Sequence, residues 1–235
     1  MTRDWDDSII DELSRRGDAV AQQIVREFLA SVGPVGEGPE AIREAMLCFR
    51  QSFRAREGRA ALAAELFDEP PEAPPWLDES LLEAGQRFFA DNGLEMCMAL
   101  FFASLPLSYA VPESARVLAR SSDLGTGNLT RRVAETGQLL IDVMGLRGTD
   151  TFHPGGMAHG SAVGLRVMHG FVRELASAHG SQDNRVAANQ ALLLSTLLDF
   201  TLVTWEALER LGIEVPLPAR RAHLHAWSVV GHLLG

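Results

Sequence analysis

Apolar residues recur at three- and four-residue intervals along most of the chain, the spacing that gathers them on one face of an α-helix. Strict alternation, the mark of a half-buried strand, is almost absent, and so are Asn-Gly hairpin signals. The periodicity predicts helices over 6–31, 39–56, 59–67, 78–103, 113–121, 125–145, 158–179, 186–212 and 217–234. Between them stand stretches rich in proline and glycine: "VGPVGEGPE" (32–40), "DEPPEAPPW" (68–76), "SLPLSYAVP" (104–112), "TFHPGGMAHG" (151–160) and "GIEVPLP" (212–218). Each supplies the backbone turns that end a helix. In "SSDLGTGNLTRR", capping residues precede the helix that carries Arg131 and Arg132. The segment 68–76 ends in Trp76, which favours a packed connection over a free linker. With no internal repeat, the pattern predicts one all-α domain, a single-domain multi-helix bundle over 1–235.

Composition narrows the partners. The chain has 235 residues, 46% hydrophobic and 22% charged, ordinary for a soluble globular protein and enough for a sizeable core. Its formal net charge of −10 repels phosphate backbones and anionic lipid, so nucleic acid is excluded as a natural partner. Cys48 and Cys97 lie far apart and form no CxxC pair, so neither a disulfide framework nor a thiolate zinc site is indicated. The start, "MTRDWDDSII", lacks the apolar core of a secretory signal. The apolar run "LEMCMALFFASLPL" (94–107) contains Glu95 and Pro106 and falls short of the roughly 20 residues of a membrane span. The expectation is a cytoplasmic protein without a membrane span. Oligomeric state is not legible.

Two helical stretches carry candidate chemistry. In "GLRVMHGFVREL" (164–175), Leu165 and Val172 share a face with His169, while Arg166 and Arg173 stand seven residues apart at its margin. An imidazole in an apolar stripe with guanidinium groups beside it suits a flat apolar ligand bearing carboxylates, a description that haem answers. A core histidine bonded to a carbonyl, flanked by solvated arginines, is the reading that spacing alone favours. In "TRRVAETGQLLIDV" (130–143), Arg132, Glu135 and Thr136 occupy one turn of one face above Leu139 and Val143. That is either a polar cluster over a reaction site or a surface ion pair worth a few tenths of a kcal/mol. His153 and His159 fall in a glycine-rich loop, where solvation is the default reading. His225 and His232, seven apart, have no carboxylate cluster nearby to suggest zinc or di-iron. Asn189 is read as a helix cap. No G-x-S-x-G elbow, P-loop or dinucleotide fingerprint is present.

Six stretches in order, "PPWLDESLLEAGQRFF" (74–89), "SLPLSYA" (104–110), "LTRRVAETGQLLIDVM" (129–144), "LRVMHGFVRE" (165–174), "NQALLLSTLLDF" (189–200) and "HAWSVVGHLLG" (225–235), carry a resemblance. Together they resemble the latex clearing protein (rubber oxygenase) and mycophenolic-acid-pathway oxygenase family. The resemblance implies a globin-like helical core enclosing haem b, with O₂ as co-substrate and a small hydrophobic, isoprenoid-like substrate cleaved at a carbon–carbon double bond. By the same resemblance His169 is the proximal iron ligand, Arg166 and Arg173 are propionate partners, and Arg132, Glu135 and Thr136 form the distal cluster. A lysine of the rubber-cleaving branch is replaced here by Glu135, which points away from polyisoprene. That branch also uses a glutamate upstream of the distal arginine, for which Glu113 is a weak counterpart. Longer relatives continue past the tryptophan–glycine segment at the C-terminus. A haem carrier without turnover, or a haem-free helical protein binding a lipid or a partner helix, are the alternative classes.

Overall fold

A computed structural model describes residues 6–33, 44, 66, 72–112, 115, 128–145, 153–178 and 186–235. Ten α-helices are described: α1 (Asp7–Ser14), α2 (Ala19–Val32), α3 (Glu79–Asp91), α4 (Gly93–Ala99), α5 (Leu105–Ala110), α6 (Asn128–Val143), α7 (Met157–Ala178), α8 (Gln190–Leu198), α9 (Thr204–Arg210) and α10 (Leu217–Leu234). No strand occurs among the described residues, as the periodicity predicts. The expected helices 39–56, 59–67 and 113–121 fall largely outside the described residues, as does Glu113.

Two expected boundaries move. The run 6–31 is two helices, because Asp18 accepts from the Ala21 amide at 3.1 Å and starts a new helix after the bend at Arg15–Gly17. The segment 104–112, expected to interrupt the bundle at its proline, is mostly helical. Pro106 follows the π turn Leu100–Ser104 without a break in the helix, and the widened turn makes room for a residue with no N–H to donate. One-turn π-helices, Leu100–Ser104 and Asp199–Val203, join α4 to α5 and α8 to α9 and pack against each other. The widened turns displace carbonyls, and hydroxyls take them up: Ser104 and Thr204 both donate to the Asp199 carbonyl, at 2.9 and 3.0 Å. Asn189 caps α8 as expected, accepting from the Leu192 amide at 3.0 Å.

Two apolar clusters result. The larger joins α3, α4, α6, α9 and α10 around Phe89, Met96, Trp205 and Trp227. The smaller, Ile24, Val25, Val167 and Phe171, is the seam between α2 and α7. Inside the larger core His223 is fully buried, with the indole nitrogen of Trp205 3.0 Å from Nδ1 and that of Trp227 3.1 Å from Nε2. Indoles only donate; a neutral imidazole accepts from one at a time and a protonated ring from neither, so this setting selects the neutral ring. Trp76, about half exposed, packs edge-on against His225 and His232, while 68–71 of the expected 68–76 connection lie outside the described residues.

Glycines let two pairs of helices approach closely. A Cβ at Gly85 of α3 would lie 2.8 Å from the Ala222 carbonyl carbon and 2.9 Å from the Ala226 Cβ of α10. One at Gly170 of α7 would lie 2.8 Å from the Ala21 carbonyl oxygen of α2. Neither can be relieved by a side chain turning away. Gly85→Ala or Gly170→Ala is expected to cost about 1–3 kcal/mol in urea unfolding. Gly137→Ala in α6, where an added methyl meets nothing within 4 Å, is expected to raise stability by about 0.5–1 kcal/mol.

Candidate functional site

The candidate residues of α7 meet a small set of buried charges where α2, α7, α8 and the end of α10 converge. Asp18, the N-cap of α2, is buried and accepts from Arg166 through Nε at 2.6 Å and through Nη2 at 3.2 Å. Burial works to raise the Asp18 pKa; the hydrogen bonds from Arg166 and the Ala21 amide, with the charges of Arg166 and Arg173, outweigh it and hold the carboxyl below its ordinary value. Gly235 lies against this pair, and its carbonyl accepts from Gln190 Nε2 at 2.7 Å. The backbone ahead of α2 is tied to the α7–α8 connection by Val186 N–H to Ser14 C=O at 3.1 Å and Gln190 N–H to Arg16 C=O at 3.0 Å.

Arg173 is 1% exposed. Its Nε donates to the Ala188 carbonyl at 3.0 Å, while its Nη2 is buried without a hydrogen-bond partner. Burial pushes the guanidinium below its ordinary value, Arg166 adds to that, and Asp18 opposes it. His169 has its Nδ1 buried and equally without a partner. Burial, then the Arg173 charge, push its pKa down to about 4, against a smaller opposing pull from Asp18. The ring is therefore neutral at physiological pH, the form that binds a metal. It is also not the carbonyl-bonded core histidine that spacing alone favours.

The remaining sequence candidates fare differently. Arg166 is engaged by Asp18, so it does not stand free beside His169. Glu135 and Thr136 are exposed on α6, a helix that packs on α7, and no hydrogen bond or ion pair joins either to His169 among the described residues. The Arg132 side chain lies outside the described residues. His159, expected in a solvated loop, is corrected: α7 begins at Met157, and its first turn buries His159 to 1% exposure with Nδ1 unpartnered. His153 remains exposed, as expected. Asp18 was missed; it lies 148 residues from Arg166 in sequence, and its capping position is the one local signal it carries.

Does this set fit haem, the cofactor the resemblance implies? Among the described residues no three His, Cys, Asp or Glu side chains converge, so a metal caged by protein side chains has no site there. Haem brings its own ring of nitrogens and asks the protein for one axial ligand and cationic partners for its carboxylates. A neutral imidazole and a buried guanidinium with a spare N–H, on one face of one helix, fit that demand.

Comparison with known proteins agrees on class. Residues 86–235 match the family described as ER-bound oxygenase mpaB/B'/rubber oxygenase, catalytic domain. The chain belongs to this family, and it carries an oxygenase domain of that type. A search of curated proteins by sequence returns no match. Among solved structures, latex clearing protein in its closed state is similar over 96% of this chain, with a TM-score of 0.60 and 23% identity. That likeness shows a shared all-α fold. This chain spans 57% of that protein's length.

The buried groups carry a pH signature. His169 and His223 both sit near pKa 4, below the ordinary 6.5, so an unfolded chain takes up protons first and stability falls as pH drops from about 6.5 toward 4. Asp199 has the opposite sign: burial raises it to about 6, so its favourable contribution is present at low pH and is lost as pH rises through 6. Asp199→Asn is expected to raise the unfolding midpoint at pH 8 and leave it nearly unchanged at pH 4. His169→Leu is expected to lose less stability than wild type between pH 6.5 and 4, both read by urea unfolding.

Proposed function

We propose that this chain is a haem b-dependent oxygenase domain that uses O₂ on a small hydrophobic substrate, in which His169 would hold the iron. The observation that carries the proposal is the pair of unpartnered buried nitrogens: Nδ1 of a neutral His169 and Nη2 of Arg173, one turn away on the same helix. A buried polar group without a partner costs roughly 1–3 kcal/mol. Two such groups on one helix face support a ligand that satisfies them.

When bound, haem supplies the O₂ chemistry that no side chain here can supply. The chain's own part is binding and electrostatics. Burial keeps His169 unprotonated, so it meets a metal without first losing a proton. Asp18 is near enough to pull the His169 pKa upward, and a carboxylate field of that kind raises ligand basicity. Arg173 is the guanidinium with a donor to spare for a propionate, a charge-assisted bond of the stronger kind. Arg166 acts at one remove, by holding Asp18. Glu135 and Thr136, being exposed, are assigned to proton exchange with solvent rather than to a desolvated base. Glu135 in place of lysine supports a substrate other than polyisoprene, with an isoprenoid as the class that the resemblance favours.

Haemin titration followed at the Soret band tests the assignment. His169→Ala is expected to weaken haemin binding by at least ~100-fold and to change the band position. Arg173→Gln is expected to weaken it about tenfold while keeping the wild-type band, as loss of a carboxylate partner and not of the iron ligand. A wild-type spectrum and affinity in His169→Ala overturns the ligand assignment.

A further inference from the structure

The His223 ring in the larger core is bound at both of its nitrogens. Trp205 of α9 stands with its indole nitrogen 3.0 Å from Nδ1, and Trp227, one turn along α10, with its own 3.1 Å from Nε2. All three rings are buried. A hydrogen bond at each contact needs one proton per contact, but two indoles and a neutral imidazole carry three between them. One contact is therefore a good hydrogen bond, and the other leaves a donor unsatisfied away from water. Packing alone does not call for this, since an apolar ring would fill the same space without leaving a donor unpaired.

Oxidation gives the arrangement a use. An indole N–H is ordinarily too weak an acid to protonate imidazole, but it becomes a strong one once an electron has left the ring. A neutral imidazole already in hydrogen-bond contact then takes the proton across a bond that is in place, and the contact survives with donor and acceptor exchanged. The two indoles are not equivalent for this step. The Arg220 guanidinium lies 5.8 Å above the Trp205 ring and opposes removal of an electron there, even with Glu209 offsetting part of its charge. Trp227 has no such cation over it among the described residues and is stacked on Phe200 at 4.5 Å and 16°, a polarisable neighbour that spreads positive charge.

We propose that Trp227 is a redox-active residue with His223 as its proton acceptor, a sink for oxidising equivalents that escape O₂ activation in this oxygenase domain. The electron goes to a one-electron oxidant, the class of species that O₂ activation leaves when no substrate consumes it. The indole proton goes to Nε2 of His223, so a neutral tryptophanyl radical and an imidazolium remain. One electron from a thiol-class reductant and the return of the same proton restore the indole. The sink rests on the oxygenase class of the chain and not on the haem assignment, for none of its rings belongs to the Asp18–Arg166–Arg173–His169 cluster.

Flash oxidation with dissolved ruthenium tris-bipyridine tests this without haem, so its failure leaves the haem reading untouched. A chain carrying Trp5→Phe and Trp76→Phe keeps Trp205 and Trp227 as its only indoles. It is expected to give a neutral tryptophanyl radical in transient absorption, formed more slowly in D₂O than in H₂O. Adding Trp227→Phe is expected to lower the yield at least ~10-fold, and adding Trp205→Phe to lower it by less than about twofold. His223→Gln, whose amide accepts a hydrogen bond but takes no proton, is expected to hold the radical in its protonated, cationic form. Where a core variant does not unfold cooperatively in urea, the solvent isotope effect with the pair intact carries the test. The proposal is overturned if no tryptophanyl radical forms, or if D₂O leaves its rate unchanged. Full yield in Trp227→Phe, or a neutral radical in His223→Gln, overturns it equally.

Discussion

A carboxylate and a guanidinium taken out of water together place the rest of this site. Asp18 starts α2 by accepting from its first turn and holds α7 by accepting twice from Arg166. One side chain thus fixes where a helix begins and where a second helix lies against it. Removing one partner of such a pair leaves an uncompensated buried charge, at about 3–5 kcal/mol. The close crossing at Gly170 and Ala21 depends on the same geometry, since two backbones approach there with no side chain between them. Gly235 and Gln190 gather around the pair and bring the ends of α10 and α8 to it.

What the ion pair does not do matters as much for function. It consumes Arg166 and the whole of Asp18, and it leaves Arg173 and His169 on the same helix with polar atoms that nothing in the described structure satisfies. The two arginines that spacing presents as equivalent are therefore opposite in use, one locked and one available. Burial then keeps His169 neutral, and the nearby carboxylate moderates that effect without cancelling it. The oxygenase class follows from the family the chain belongs to; the haem assignment rests on this unbalanced polar accounting.

Legibility in the sequence follows the range of the forces involved. Helix α10 falls on 217–234 and α7 within a residue of 158–179, because their apolar stripes and flanking prolines and glycines are local signals. The break at Arg15–Asp18 and the persistence of helix through Pro106 were not legible: the first needs Arg166 as a distant partner for Asp18, the second a π turn that shifts the register ahead of the proline. Glycines around His159 read as loop, but α7 starts early enough to bury it. In the candidate site, the helix and face of His169 could be read, whereas which arginine stays free could not. The apolar run 94–107 announces burial of some kind, and only the fold sorts Met96 inward and Phe102 outward.

The central claim is that the α7 histidine is a haem ligand. It is tested most directly by an absorption spectrum of the purified protein, before and after dithionite, with iron and haem determined on the same sample. A Soret band that shifts on reduction, with haem and iron in equal amounts approaching one per chain, is the result predicted here. A colourless protein without iron that takes up no added haemin contradicts it.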